Sequence, residues 1–142
     1  MTPPAVPAAP TGRSAVVTGA ARGIGRGIAE RLVSQGYAVV VTDVDAAAVQ
    51  ATAAEIGAVA GLAHDVRDPA AHRRVAEVAA GHGRLAAWFN NAGVGAGGSP
   101  IGETDLRDWS WVLNVNLWGP IHGCHVFTPL LREAGYGGII NV

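Results

Sequence analysis

The stretch TGAARGIG, Thr18 to Gly25, decides how the chain is read, because the residue pattern changes on either side of it. Before it, SAVVT (Ser14–Thr18) is a β-branched run that stops at a glycine. After it, IGRGIAERLVSQG (Ile24–Gly36) sets Ile24, Ile28, Leu32 and Val33 at helical spacing and closes on a glycine suited to a C-cap. A strand that ends in a glycine turn and reopens as a helix is the start of a β-α-β unit. The glycines follow the pattern G-x-x-x-G-x-G, and each has a task. Gly19 lets the chain turn sharply off the strand. Gly23 leaves the backbone open to an approaching pyrophosphate. Gly25 lets the new helix pack tightly on the sheet. The helix start supplies unpaired N–H groups and a partial positive charge, and Arg22 adds a full one. A plain glycine-rich turn would look the same in isolation, so the surroundings decide.

The alternation continues outward. YAVVVTD (Tyr37–Asp43) is apolar on both faces, as a strand inside a parallel sheet should be. Asp45 caps an Ala-rich helix to about Ile56. AVAGLAHDV (Ala58–Val66) is a weaker strand. DPAAHRRVAEVAAGHG opens with Asp68 at the N-cap and Pro69 at the first helical position, and closes at Gly81. LAAWFNNAG supplies a fourth strand, roughly Leu85 to Asn90, followed by a glycine-rich loop. Thr104 or Asp105 starts a helical region reaching about Ala134, where Gly119, Pro120 and Pro129 predict a kink or break. GGIINV is the fifth strand, and the chain stops in it. The order predicts an α/β fold of Rossmann type, a doubly wound parallel sheet with helices on both faces. It occupies residues 13–142 as one domain, incomplete at its C-terminus. Residues 1–12, MTPPAVPAAPTG, lack the basic and apolar regions of a signal peptide and read as a disordered Pro/Ala-rich tail.

The second strand ends on an acid, Asp43, 24 positions after Gly19. A carboxylate there accepts from both hydroxyls of an adenosine ribose and repels a 2′-phosphate. The expected cofactor is therefore NAD, with NADP second because Arg22 could swing toward a 2′-phosphate. Asp65 and Val66 fall at the carboxyl end of the third strand, where open α/β sheets bind ligands. Asp65 suits an adenine amine and Val66 a flat apolar contact. Asn90 and Asn91 carry donors and acceptors that fix adjacent loops and reach a ribose, while Ala92 and Gly93 leave room beside the cofactor.

These residues resemble the short-chain dehydrogenase/reductase family. TGAARGIG looks like its nucleotide turn, TGxxxGIG. Asp43 matches the ribose-binding acid of NAD-preferring members, and Asp65–Val66 the pair that contacts adenine. NNAG (Asn90–Gly93) matches the motif after the fourth strand, and VNLWG (Val115–Gly119) the segment carrying the catalytic asparagine. The resemblance covers residues 13–142. It implies an oxidoreductase moving hydride between a nicotinamide and a small alcohol or carbonyl substrate, and a homo-oligomer when complete. It implies cofactor contacts from Gly19, Arg22, Gly23, Ile24, Gly25, Asp43, Asp65, Val66, Asn91, Ala92 and Gly93. It also implies that Asn116 is catalytic, through a local helix distortion whose backbone carbonyl holds a water in a proton relay. Pro120 agrees with distortion, because it has no N–H to donate back to residue 116. Asn114 reads as a polar helix face.

In that family the fifth strand runs into a catalytic serine, and a later helix brings a Tyr-x-x-x-Lys pair. Here Tyr37 and Tyr136 each precede a strand and no lysine follows either. The chain is expected to carry the cofactor half and to be inactive alone. The alternative is a non-catalytic dinucleotide-binding or interaction module from a truncated gene. An epimerase of the extended branch fits less well, because that branch favours TGxxGxxG.

Composition narrows the partners. Charged residues make up 15% of the chain, the net charge is −1 and no basic run occurs, which argues against a nucleic-acid surface. No segment approaches about 18 uninterrupted apolar residues, so a membrane span is not expected. Cys124 is the only cysteine, which fits a cytoplasmic protein. His122 and His125 flank it, but no third ligand converges and no metal is expected. His64, His72 and His82 read as surface or strand-end residues, and Trp88 as core. Trp109, Trp111, Trp118 and Phe127 read as core or subunit interface. Gly95–Pro100 is a flexible loop that could border a substrate opening.

Overall fold

A computed structural model describes residues 11–142. The elements are β1 (Arg13–Thr18), α1 (Gly23–Ser34), β2 (Ala38–Asp43), α2 (Ala46–Ile56), β3 (Ala60–Ala63), α3 (Pro69–Gly81), β4 (Arg84–Asn90), α4 (Leu106–Leu113), a π turn (Asn114–Trp118), α5 (Gly119–Ala134) and β5 (Gly138–Asn141). Most of the expected tail, residues 1–10, lies outside the described residues. Its last two residues dock on the fold: Thr11 donates its N–H to the Gly36 carbonyl at 3.0 Å, and the Gly12 carbonyl accepts from the Arg84 N–H at 2.9 Å.

The five strands form one parallel sheet in the order β3-β2-β1-β4-β5. The chain winds outward from β1 to β3, then returns to the other side of β1 with β4. That reversal is a topological switch point, and it opens a crevice between the carboxyl ends of β1 and β4.

Strand periodicity divides the core in two. Ala15 and Val17 of β1 and Val39 and Val41 of β2 face α1 and α2. Val16 and Val40 face the other way, toward α3 and α5, with Trp88 and Phe127. Both central strands must therefore be apolar throughout. Trp88 stacks on Phe127 with ring centroids 3.5 Å apart. Each fully buried side chain of this kind contributes about 1.5–3 kcal/mol of transfer free energy.

Local chemistry sets most helix starts. Asp45 accepts from the Ala48 N–H, Asp68 from the Ala70 N–H and Asp105 from the Arg107 N–H. No described helix is long and apolar enough to cross a membrane.

Three expectations need correction. β3 ends at Ala63 rather than Val66, because Asp65 turns its carboxylate back onto the Arg67 N–H at 2.9 Å and the chain leaves the sheet. The long helical region is not broken at its prolines: it absorbs one extra residue per turn in the π turn, and Pro129 sits within α5. Of the histidines read as surface or strand-end residues, His64 does follow the end of β3 but is buried (3% exposed), and His72 is buried within α3 (0%). They are buried because they partner each other, with His64 Nδ1 2.9 Å from Thr42 Oγ1 and His64 Nε2 3.3 Å from His72 Nδ1. Of the four aromatics in the long helical region, Phe127 is core, while Trp109, Trp111 and Trp118 are exposed.

Candidate functional site

The crevice at the switch point has a volume of about 770 Å³. It is lined by Gly19, Arg22, Ile24, Asp43, Val44, Ala63, His64, Asp65, Val66, Arg67, Asn91, Ala92, Gly93, Val94, Trp111 and Val115. Gly23 and Gly25 are not among the lining residues, and the geometry explains why the three turn residues are glycines. Gly19 has φ +62° and sits so close to the neighbouring loop that a Cβ would lie 2.7 Å from the Ala92 Cα. Gly23 has φ +61° and faces open space. A Cβ on Gly25 would collide with the Gly19 carbonyl oxygen and approach Asn91 Nδ2 to 2.5 Å.

The amino end of α1 differs from those of the other helices that start from a loop. α2, α3 and α4 each begin on an aspartate that bonds a first-turn N–H. α1 begins on Arg22, with extended backbone, no side-chain cap bond and no acid in its first turn. Its first-turn N–H groups and about half a positive charge are left for something else, and the Arg22 cation stands beside them.

Asp43 is held at the lip of the same crevice. Its Oδ2 accepts from the Ala21 N–H and its Oδ1 from the Asp45 N–H, both at 3.2 Å. Each oxygen keeps a lone pair for a further donor. Asp65 is more fully engaged. Arg67 pairs with both of its oxygens, the shortest contact being 2.7 Å from the guanidinium to Oδ2. Those hydrogen bonds from Arg67 hold the Asp65 carboxyl below the usual range. The adenine role read for Asp65 therefore has Arg67 as a competitor, and Arg67 itself lines the crevice.

The two crests of the crevice are joined by residues whose work is structural. Thr18 Oγ1 donates to the Phe89 carbonyl at 3.2 Å and accepts from the N–H groups of Asn91 and Ala92 at 3.0 Å. Asn91 Nδ2 donates to the carbonyls of Thr18 and Gly19 at 3.0 and 3.1 Å. The side-chain amine of Asn91 is thus committed to the loop rather than aimed at a ribose. Asn90 joins strands: it accepts from Trp88 Nε1 at 2.7 Å and donates to Asn141 Oδ1 at 2.7 Å. Thr18 went unassigned in the sequence, although its place just before Gly19 was the available signal.

Asn116 lies in the middle of the π turn. Its side chain clasps Val94, accepting from the N–H and donating to the carbonyl, each at 2.8 Å. The Gly119 N–H bonds the Asn114 carbonyl five residues back, and Pro120 has no N–H to give Asn116. Asn114 bonds Ser110 on the exposed face. Both tyrosines sit at the far end of the sheet. Tyr37 precedes β2, and Tyr136 precedes β5 with the Arg84 guanidinium 4.3 Å above its ring. Among the described residues no group of three or more His, Cys, Asp or Glu side chains is placed to hold a metal.

Known proteins resemble this chain in sequence and in fold. A family model for short chain dehydrogenases matches residues 13–142. The chain is 39% identical over 136 residues to a D-threitol dehydrogenase of Mycolicibacterium smegmatis, covering 92% of this chain and 52% of that protein. It is 43% identical over 132 residues to a probable oxidoreductase, EphD, of Mycobacterium tuberculosis, covering 89% and 22%. Among solved structures, a short chain dehydrogenase/reductase from Burkholderia phymatum in complex with NAD superposes with a TM-score of 0.84 at 38% identity, over 91% of this chain and 48% of that one. A metagenomic short-chain oxidoreductase in complex with NADP gives 0.84 at 39%, over 93% and 62%. The chain thus spans about half or less of the curated relatives' length. From residue 13 to residue 142 it belongs to the short chain dehydrogenase family of oxidoreductases.

Proposed function

We propose that these residues bind the dinucleotide of an NAD-dependent oxidoreductase acting on a small alcohol or carbonyl compound. The observation that carries this is the uncapped, arginine-flanked start of α1 on the same crevice as the backbone-anchored Asp43. A pyrophosphate satisfies the first, and a ribose diol the second. When bound, the nicotinamide supplies the hydride acceptor or donor. The chain's own residues position it: Gly19, Gly23, Ile24 and Gly25 shape the phosphate turn, Ala92 and Gly93 leave space, and Asn116 offers its carbonyl to a water. Asp43 favours NAD over NADP by opposing a 2′-phosphate.

The placement of Tyr37 and Tyr136 favours a second statement: the 142-residue chain binds cofactor without turning over substrate. In a longer context we assign it to a homo-oligomer working on small molecules, with no nucleic-acid or membrane partner. The test is titration with NADH and NADPH, read by nucleotide fluorescence, in wild type and Asp43→Ala. NADH should bind more tightly than NADPH, and the substitution should weaken NADH and narrow the gap. Equal NADH affinity in the two proteins refutes the assignment of Asp43.

A further inference from the structure

We propose that His122 is a positioning residue that ties the adenine end of the crevice to the π turn carrying Asn116, so that filling one orders the other. The inference rests on the nucleotide reading above and goes beyond it. His122 stands on α5, one turn after the π turn, and its Nδ1 lies 3.1 Å from the Val66 carbonyl oxygen. A carbonyl can only accept, so Nδ1 carries the proton and donates. Val66 lines the crevice. Its side chain interlocks with Gly119, the first residue after the π turn: a Cβ there would lie 2.8 Å from Val66 Cγ2. Val66 is thus held on its backbone by His122 and on its side chain by the Gly119 notch. Three residues before Gly119, Asn116 clasps Val94, which lines the crevice from the other side.

The links form a closed chain: Val66, His122 and Gly119, the π turn, Asn116, Val94. Its central member is a π turn, which holds one residue more than an α-helical turn, and its competing arrangement in this proposal is the α-helical register. A ligand pressing on Val66 biases that choice only if Val66 and α5 move together, and the His122 hydrogen bond supplies the directional part of that tie beside the van der Waals contact at Gly119. His72 and Trp118 flank the His122 ring, with centroids 6.0 and 5.9 Å away, so the ring has little freedom to abandon the carbonyl.

Adenosine monophosphate fills the adenine, ribose and first phosphate positions, leaves the nicotinamide end empty, and is the probe. Hydrogen–deuterium exchange is followed at residues 114–119 in wild type, His122→Leu and His122→Asn, the asparagine keeping a donor near the Nδ1 position. At matched occupancy, AMP should slow exchange by about fivefold or more in wild type and His122→Asn, and by less than about twofold in His122→Leu. The wild-type His122 imidazole nitrogen resonance should also shift on AMP addition, a reading that needs no variant to fold. AMP that binds without slowing exchange or shifting that resonance, or that slows exchange equally in His122→Leu, overturns the coupling and leaves the nucleotide reading standing. AMP that does not bind overturns both.

Discussion

Lowering the pH from 6.5 to 5 should destabilise this protein through its buried histidine pair. Burial, and secondarily the neighbouring His72, push the His64 pKa down from 6.5 to about 3. His72 is lowered too, chiefly by burial. Both imidazoles are therefore neutral in the fold, while in the unfolded chain they protonate near pH 6.5. The unfolded state takes up protons first as pH falls, so stability is full above 6.5, declines below it, and stops declining near the folded value of about 3. At 1.36 kcal/mol per pKa unit, His64 alone accounts for a loss of about 1.5 kcal/mol between pH 6.5 and 5, and His72 adds to it with the same sign. The window sits above ordinary carboxylate titration, so Asp65, Asp68 and Asp105, whose pKa values are lowered, contribute their own losses only at lower pH. The assay is urea unfolding at closely spaced pH values, with His64→Gln as the non-titrating comparison. A flatter profile for the variant is expected. A wild-type midpoint independent of pH across this window, or an unchanged slope in His64→Gln, refutes the reasoning.

Two other substitutions probe the crevice directly. Gly25→Ala drives a methyl into the Gly19 carbonyl and Asn91 Nδ2, and should cost about 1–3 kcal/mol in chemical unfolding and abolish NADH binding. Gly27→Ala, two residues on in α1 with open space around its Cβ, should instead stabilise by about 0.5–1 kcal/mol and serves as its control. Thr18→Val keeps the shape but leaves the N–H groups of Asn91 and Ala92 without their acceptor, at about 1–3 kcal/mol for each orphaned group. Thr18→Ser should recover most of that loss in the same unfolding measurement.

Features written in local chemistry were legible in the sequence. Asp45, Asp68 and Asp105 cap their helices because an aspartate before a helix start bonds N–H groups two or three residues ahead. The doubly apolar SAVVT and YAVVVT runs named the two central strands, since only a strand covered on both faces needs such a pattern. What escaped depends on residues distant in sequence. The burial of His72 requires His64 beside it and Trp88 across β4, at 5.7 Å between rings. The role of Thr18 requires a loop more than 70 residues away. The Arg67 pairing with Asp65 spans only two residues, and it competes with the ligand role that the position of Asp65 at the strand end suggests.

The parallel sheet also decides which residues can share chemistry. Every carboxyl strand end faces the crevice and every amino end faces away from it. Tyr37 immediately precedes β2 and Tyr136 lies two residues before β5, so the topology puts both at the amino ends of strands, away from the crevice. A four-residue strand such as β5 spans about 13 Å, more than a tyrosine side chain can reach back across. Tyr136 is further pinned by Arg84, whose guanidinium also bonds the Ala134 carbonyl at 2.6 Å. At the crevice itself the candidate for moving a proton near neutral pH is His64. That imidazole is engaged by Thr42 and His72, and its pKa is pushed down to about 3. The proposed cofactor binding without turnover thus rests on where the strands begin as well as on which residue types the chain contains. On the proposed reading a proton donor belongs at the carboxyl rim, where Val94 lines the crevice and the Asn116 side chain clasps it from the π turn.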